Sequence, residues 1–355
     1  MFPIPHLKTT LVASAFAGAF FLGSPLAGAA EAPAGYFEQA RTELESAGVA
    51  VPAVDPAVTK AIDSGLGSLL NTEQARAVQE KYAQPATNPN PLGLIEEATQ
   101  PEFRPQGTDP NYSWKNDAFS KVAAGKPGAD FVLHRVPGSY FDAPRIPEES
   151  NTAMTQGQSL YGPGTPLYVN DNTMCTLAVA GEDGEGRKVG ITAGHCGNIG
   201  DDVASADSWH VGPTGTIAAK NEYLDYSVVE FGSQAKVSRR YNGLEVNSFG
   251  GQVNPGEVAC KNGVATGTTC GVTYAENSEI QINQVCAMGG DSGAPLYSNG
   301  RVVGFITGGI INNFDCRTPW QGAIHSPTTA TRADAVLADL NARGGVGAGF
   351  RLPED

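Results

Sequence analysis

The sequence predicts an all-β C-terminal domain that follows a mainly helical N-terminal region. From Tyr161 onward, short β-prone runs alternate with Gly, Asn, Asp and Pro, a pattern typical of β-sandwiches and β-barrels. All six cysteines lie in this part, whereas residues 30–147 contain none and show little strand pattern. At 355 residues the chain is long enough for two folded units.

Composition excludes some function classes. The 41% hydrophobic content is enough for a sizeable core. The net charge of −14 argues against nucleic-acid binding, which favours basic surfaces, and mainly indicates solubility.

Residues 1–29 predict a secretory signal peptide. Lys8 supplies the positive charge, Leu11–Leu22 the apolar stretch, and Ala27–Ala29 the small-residue cleavage site. The alternative is an uncleaved anchor, but the apolar stretch is short of the ~20 residues that a spanning helix needs. No later segment is long and apolar enough to cross a membrane.

Residues 30–155 predict a small helical region. Gly35–Gly48 and Asn71–Ala83 have helical composition, and Tyr112–Ala124 is a weaker third helix. Gly138–Gly164 is rich in Pro, Ser, Gly and Asn, which predicts a linker.

The C-terminal part predicts short strands and one helix. The strands are expected at Cys175–Ala180, Lys188–Ala193, Thr214–Ala218, Tyr226–Phe231, Glu257–Lys261, Gly271–Tyr274, Ile280–Val285, Pro295–Tyr297 and Arg301–Thr307. Thr331–Ala342 predicts a helix with Val336, Leu337 and Leu340 on one face.

Three short motifs carry the chemistry. Cys286–Leu296 (CAMGGDSGAPL) places Ser292 in a tight turn flanked by glycines, which let the backbone approach a substrate closely. Ile191–Cys196 (ITAGHC) ends in a histidine, and Tyr223–Phe231 (YLDYSVVEF) contains an acid before a β-rich run. The order His, Asp, Ser is the order of one well-known catalytic triad.

Each residue type suits one role in nucleophilic catalysis. A serine hydroxyl such as that of Ser292 needs an adjacent base, and His195 titrates in the range that this task requires. Asp225 is the candidate for the acid that orients the imidazole. The other acids considered lie in polar, loop-like sequence: Asp201, Asp202 and Asp207.

These motifs resemble those of the chymotrypsin-like serine proteases, and most closely the bacterial streptogrisin and α-lytic protease branch. Further matching segments are Cys260–Gly271, Ile280–Ser292 and Val303–Gly309. The resemblance implies a double antiparallel β-barrel of trypsin type, with the site in the cleft between the barrels and a C-terminal helix. It also implies a secreted serine endopeptidase that acts through an acyl-enzyme without metal or cofactor.

The resemblance assigns further site residues. The backbone N–H groups of Gly290 and Ser292 are expected to form the oxyanion hole. Substrate backbone is expected to pair with Thr307, Gly308 and Gly309, where Thr307 replaces the usual serine and keeps a hydroxyl that could donate to Asp225. Met288 is expected to narrow the pocket for the residue before the cut.

Two further expectations concern charge near Ser292. Asp291 is expected to pair with Lys261, which stands where this branch has an arginine and lacks its planar fork. The residues before Cys286 include no acid, which argues against trypsin-like selection of Arg or Lys and favours a neutral residue before the cut.

The six cysteines allow 15 pairings, and spacing alone does not choose among them. The resemblance implies the pairs Cys175–Cys196, Cys260–Cys270 and Cys286–Cys316. Zinc binding is the weaker alternative, because the cysteines lack CxxC spacing and the histidines do not cluster with them.

The division that follows is a signal peptide (1–29), a pro-region with its linker (30–155) and a protease domain (156–355). The pro-region is expected to inhibit the protease or assist its folding and to be cut off between Glu148 and Tyr161; the alternative is an accessory domain that remains. The expected partners are a protein or peptide substrate and the chain's own pro-region. The enzyme is expected to be a monomer outside the cell, in solution or on the cell wall.

Two rival functions remain. An α/β-hydrolase esterase would use the order Ser292, Asp315, His325, but position 294 is alanine and the alternating strand–helix pattern is absent. A catalytically silent binding protein on a protease scaffold would usually lack a triad residue, and none is missing here.

Overall fold

The computed structural model describes residues 112–170, 173–311 and 314–354. The predicted signal peptide and the helices predicted at Gly35–Gly48 and Asn71–Ala83 lie outside these residues. The helical character of that region therefore stays a prediction.

The described part of the N-terminal region has its own secondary structure. Its elements in chain order are β1 (Ser113–Lys115), α1 (Ala118–Ala123), β2 (Val132–His134), α2 (Glu148–Thr155) and β3 (Ser159–Tyr161). Strand β1 pairs antiparallel with β2. Helix α1 begins where the Asp117 side chain accepts a hydrogen bond from the Ser120 N–H. The predicted third helix is thus shorter than expected.

The expected linker is ordered and packed. Within Gly138–Gly164, α2 begins directly after Pro147, whose fixed backbone angle suits a helix start. Ser150 and Tyr161 in this stretch are fully buried. Composition predicted a loop here, whereas tertiary contacts hold a helix and a strand.

The first barrel is a curved sheet of seven strands. They are β4 (Pro166–Val169), β5 (Thr173–Thr176), β6 (Val179–Glu182), β7 (Lys188–Ala193), β8 (Asp202–Ser205), β9 (Gly215–Asn221) and β10 (Tyr226–Phe231). Their spatial order is β5-β4-β8-β9-β10-β7-β6, with every neighbouring pair antiparallel. Only residues 177–178 separate β5 from β6, so the two edges of the sheet meet and the sheet wraps round its core.

The second barrel closes through its own hydrogen bonds. In chain order, the short strands β11 (Ala235–Val237), β12 (Arg240–Tyr241) and β13 (Leu244–Glu245) come after the first barrel and before the second. The second sheet contains β14 (Ser248–Phe249), β15 (Val258–Gly263), β16 (Gly267–Glu276), β17 (Ile280–Asn283), β18 (Pro295–Ser298), β19 (Arg301–Gly309) and β20 (Thr328–Arg332). Its order is β14-β19-β18-β15-β16-β17-β20, and β20 also pairs with β19. This last pairing closes six of the strands into a barrel.

A shared apolar layer joins the two barrels. Ile191 and Val228 of the first barrel pack with Phe305 of the second and with helix α3 (Ala333–Arg343). Val336 and Leu340 of α3 are fully buried in this layer. The described chain is therefore mostly β, built from barrels with few helices, and this part of the prediction is confirmed.

Three disulfides join the pairs that the resemblance implies. They are Cys175–Cys196, Cys260–Cys270 and Cys286–Cys316, and among the described residues no cysteine is free. In the chain-entropy model each such loop stabilises the fold by about 3 kcal/mol.

A buried ion pair ties the N-terminal region to the first barrel. An amino group of Arg135 lies 2.6 Å from a carboxylate oxygen of Asp207, and the two side chains are 2% and 3% exposed. Arg135→Ala would leave the carboxylate buried without its cation. We expect the free energy of unfolding, measured in urea, to fall by about 3–5 kcal/mol.

The matched control is Arg240→Ala. Arg240 pairs with Glu245 at the surface, where its side chain is 57% exposed. Its removal should cost less than about 1 kcal/mol. Equal losses for the two variants would show that the Arg135–Asp207 contact contributes no more than a surface pair.

Candidate active site

His195 lies where β7 turns away from its sheet. A short 3₁₀ helix, Gly194–Cys196, follows the strand, and the Cys175–Cys196 disulfide fixes its end. The Gly194 N–H donates to the Asp225 carbonyl oxygen at 2.8 Å. A Cβ at Gly194 would lie 2.8 Å from the Tyr226 nitrogen, so only glycine allows this approach.

Asp225 precedes β10 in a left-handed conformation, with φ of 49°. Asn221 shapes the turn before it, because its side-chain oxygen accepts from the Tyr223 and Leu224 N–H groups at 3.0 Å each. The turn directs the Asp225 carboxylate back toward His195.

Ser292 lies between two glycines with positive φ, Gly290 at 98° and Gly293 at 83°. A Cβ on Gly293 would lie 2.2 Å from both the Thr176 carbonyl oxygen and the Thr192 hydroxyl. The nucleophile turn therefore packs directly onto the first barrel, with no room for a side chain at this position.

The three side chains form one continuous chain of hydrogen bonds. His195 Nε2 lies 2.7 Å from Ser292 Oγ, and His195 Nδ1 lies 2.8 Å from Asp225 Oδ2. Asp225 Oδ1 also accepts from the His195 backbone N–H at 2.8 Å. Since a carboxylate only accepts, Nδ1 carries the proton and Nε2 is left to accept from the serine hydroxyl. The arrangement can deprotonate Ser292 as it attacks an electrophile.

Two backbone donors lie beside the serine. In the described part of the chain, neither the Gly290 N–H nor the Ser292 N–H donates to a protein acceptor, whereas the N–H of Asp291 between them donates to the Met288 carbonyl oxygen. Two such neighbouring donors can bind an oxygen on which negative charge develops.

The Asp291 side chain is completely buried beneath the loop. Its oxygens accept from the N–H groups of Ala265 at 2.8 Å and Met288 at 3.1 Å, and from the Thr266 hydroxyl at 2.7 Å. The ammonium of Lys261, also fully buried, lies 3.4 Å away. Lys261 and Asp291 therefore lie within ion-pair distance of each other.

Thr176 is a site residue that the sequence did not indicate. Its backbone N–H donates to the Ser292 carbonyl oxygen at 2.8 Å, and its hydroxyl donates to the Gly290 carbonyl oxygen at 2.9 Å. The hydroxyl also accepts from the Val264 N–H at 3.1 Å. Its place directly after Cys175 was the only available signal.

The end of β19 presents an open edge. Ile310 donates its N–H to Pro327 on the β20 side, so by strand alternation the N–H and C=O of Gly309 face the other way. Gly308 and Gly309 are exposed and Thr307 is half-buried. The Thr307 hydroxyl donates to the Thr329 carbonyl oxygen at 3.5 Å, and not to Asp225 as expected.

Met288 is buried among apolar side chains. It is 9% exposed and belongs to a cluster with Val136, Val264 and Ala265. Its contacts are therefore with the N-terminal region and the β15–β16 hairpin, a role that the sequence did not suggest.

The remaining candidates serve other purposes. Asp207 pairs with Arg135, and Asp201 accepts from the Asn198 N–H at 2.7 Å. His325 is buried against Gln284 and contacts the Ser326 carbonyl oxygen at 2.9 Å. Burial lowers the pKa of His325, which keeps this ring neutral near pH 7.

Among the described residues, no group of three or more His, Cys, Asp or Glu side chains is arranged to hold a metal ion. In the same residues, no helix has the length and apolar character to cross a membrane.

No protein-family model matches the chain. Individual proteins with similar sequences or structures are known. The chain is 30% identical over 186 residues to the uncharacterized protein Rv1815 of Mycobacterium tuberculosis, covering 48% of this chain and 79% of that protein. It is 33% identical over 145 residues to Streptogrisin-A of Streptomyces griseus, covering 36% of this chain and 44% of that protein. The crystal structure of Thermobifida fusca Protease A aligns with 55% of this chain and 100% of its own, at 24% identity and a TM-score of 0.42.

The buried lysine predicts a loss of Ser292 reactivity at alkaline pH. Burial lowers the pKa of Lys261 from its ordinary 10.5, although the Asp291 charge opposes the shift. As the pH rises through this lowered pKa, Lys261 loses its charge and Asp291 loses its counterion. We expect the rate at which a fluorophosphonate labels Ser292 to fall there.

Lys261→Arg is the control, because an arginine stays charged throughout this range. In this variant the labelling rate should stay level at alkaline pH. An alkaline fall of equal size in both proteins would assign the effect to another group.

Proposed function

Because the chain belongs to the chymotrypsin-like serine proteases of bacteria, we propose that it is a secreted serine endopeptidase. The proposed nucleophile is Ser292, the general base is His195, and the acid that orients the base is Asp225. The observation that carries the proposal is the unbroken hydrogen-bond chain from the Ser292 hydroxyl through the imidazole to the carboxylate, with distances of 2.7 and 2.8 Å.

The reaction begins when Ser292 Oγ attacks the carbonyl carbon of the scissile peptide. His195 Nε2 takes the hydroxyl proton during the attack and then gives it to the leaving amine. Asp225 holds the imidazole in the required tautomer and stabilises its charged form. Water activated by the same histidine then hydrolyses the acyl-enzyme.

The tetrahedral intermediates carry a negative oxygen, for which the N–H groups of Gly290 and Ser292 are the proposed donors. A donor of this kind is typically worth ~10²–10³ in rate, since it acts mainly as the charge develops. Support comes from the positive φ of Gly290 and from the absence of a protein acceptor for either group among the described residues.

The acyl part of the substrate is proposed to extend along Thr307, Gly308 and Gly309 as an added strand. The residue before the cut is proposed to be neutral. Asn283, Gln284 and Val285, which precede Cys286, carry no charge, and the buried His325 that contacts Gln284 is neutral as well.

Export and maturation complete the proposal. Residues 1–29 have the features of a signal peptide, and three disulfides suit an oxidising compartment. The chain is proposed to be made as an inactive precursor from which N-terminal residues are removed.

Ser292→Ala tests the nucleophile. The wild-type secreted protein should digest casein and lose N-terminal mass, whereas Ser292→Ala should keep its N-terminal residues and stay inactive because no acyl-enzyme can form.

Asp225→Asn tests the acid that orients the base. This variant keeps the Ser292 hydroxyl but should hydrolyse peptides about 10⁴-fold more slowly at neutral pH, because the imidazole is no longer held in the tautomer that accepts the serine proton. Intact mass and casein hydrolysis are the measurements.

Each other result contradicts a specific part of the proposal. If wild type neither digests casein nor reacts with a fluorophosphonate, the protein is a silent binding module and not an enzyme. Cleavage of simple esters without peptides would indicate an esterase. A wild-type protein that is active while it keeps every residue after the signal peptide would contradict the proposed inactive precursor.

A peptide anilide series tests the choice of residue before the cut. Peptides that differ only at this residue should be cleaved at least about tenfold faster with Leu or Phe than with Arg or Glu, because a buried charge would have no partner. Ratios of kcat/KM are the measurement. A preference for Arg would show that an acid outside the segment before Cys286 reaches the pocket.

A further inference from the structure

The N-terminal strap, defined as residues 112–147, packs across both barrels. Besides the Arg135–Asp207 pair, the Tyr140 N–H donates to the Arg317 carbonyl oxygen at 2.8 Å. The Thr318 hydroxyl donates to the Ala123 carbonyl oxygen at 2.6 Å. These contacts anchor the strap at several separate points along its length.

One strap residue lies against the nucleophile loop. Val136 is 8% exposed and clusters with Val264, Ala265 and Met288. A Cβ placed on Gly290 would lie 3.0 and 3.1 Å from the two terminal carbons of the Val136 side chain. Val136 therefore restricts how far Gly290 can move toward the strap.

A second strap residue reaches the buried carboxylate through one intermediate. Ser139 is 3% exposed, and its hydroxyl donates to the Ala265 carbonyl oxygen at 2.5 Å. Ala265 in turn donates its N–H to Asp291 at 2.8 Å. The strap is thus linked to both residues that precede Ser292, Gly290 by packing and Asp291 by hydrogen bonds.

The strap supports the loop without covering the reacting groups. Thr176 of β5 flanks the nucleophile loop on one side, and Ile306 of β19 flanks it on the other, where it accepts the Gly293 N–H at 2.7 Å. Met174 of β5 packs against the Val136 cluster, so the strap approaches on the β5 side. The side chain of His195 remains 47% exposed, and Gly308 and Gly309 at the end of β19 are exposed as well.

We infer that the strap is a retained part of the active enzyme, in which Val136 and Ser139 position the Gly290 N–H for catalysis. This inference rests on the proposed function. It places the maturation cut before Tyr112, whereas the sequence predicted a cut between Glu148 and Tyr161. Val136 and Ser139 are positioning residues, since neither contacts the substrate.

Val136→Ala and Ser139→Ala in the full chain test the inference. We expect kcat for a peptide anilide to fall about ten- to a hundredfold with KM within twofold, because a displaced donor loses mainly transition-state stabilisation. Binding of a peptide aldehyde, which forms a tetrahedral adduct with Ser292, should weaken by the same factor. Binding of the corresponding product peptide should not change, which a general loss of folding would not reproduce.

Val122→Ala is the matched control, because Val122 lies in the same strap with its side chain 51% exposed. It should leave both kcat and aldehyde binding unchanged. The mass of the active wild-type protein should include residues from Tyr112 onward.

Three results would overturn the inference. The first is a Val136→Ala enzyme with the kcat and aldehyde affinity of Val122→Ala. The second is a fully active enzyme from which residues 112–147 are lost. An inactive wild type would overturn the proposed function and this inference together, whereas the first two results leave the proposed function standing.

Discussion

The site depends on one buried carboxylate. Asp291 lies between Gly290 and Ser292, whose N–H groups are the proposed oxyanion donors, so the direction of its buried side chain constrains the orientation of the peptide units on both sides. The carboxylate is fully buried, with Lys261 at 3.4 Å and donors from Ala265, Thr266 and Met288 around it. A buried charge separated from such partners costs several kcal/mol. The loop therefore cannot leave its observed conformation without separating this charge from its partners.

The same loop also joins the barrels. Thr176 of the first barrel bonds the Ser292 and Gly290 carbonyl oxygens, while Ile306 of the second barrel bonds the Gly293 N–H. His195 comes from the first barrel and Ser292 from the second, so their 2.7 Å separation depends on how the barrels sit together. The apolar layer that includes Phe305 and helix α3 holds that placement. Stability and chemistry thus share one set of contacts.

Much of the secondary structure after Tyr161 could be predicted from the sequence. Lys188–Ala193 and Tyr226–Phe231 have the predicted bounds because β-branched and apolar residues dominate them and turn residues precede them. Strands such as Asp202–Ser205 were missed, because a run of only four residues becomes a strand only through its neighbours. The three proposed catalytic residues lie in local motifs and could be predicted. Thr176 could not, because its hydroxyl donates a hydrogen bond to the carbonyl oxygen of Gly290, which is 114 positions away.

The N-terminal strap shows where composition misleads. From Gly138 onward its Pro, Gly and Ser content is that of a loop, but an irregular segment can be as ordered as a strand when its polar groups find partners. Ser139 bonds a carbonyl 126 positions away, a contact that no local pattern encodes. The groups that the strap contacts also bear on whether it can be removed by proteolysis. Without it, Asp207 would keep a buried charge without Arg135, and the Ala265 carbonyl oxygen would lose its donor. A segment made to be discarded would be expected to leave a surface satisfied on its own, and this one would not.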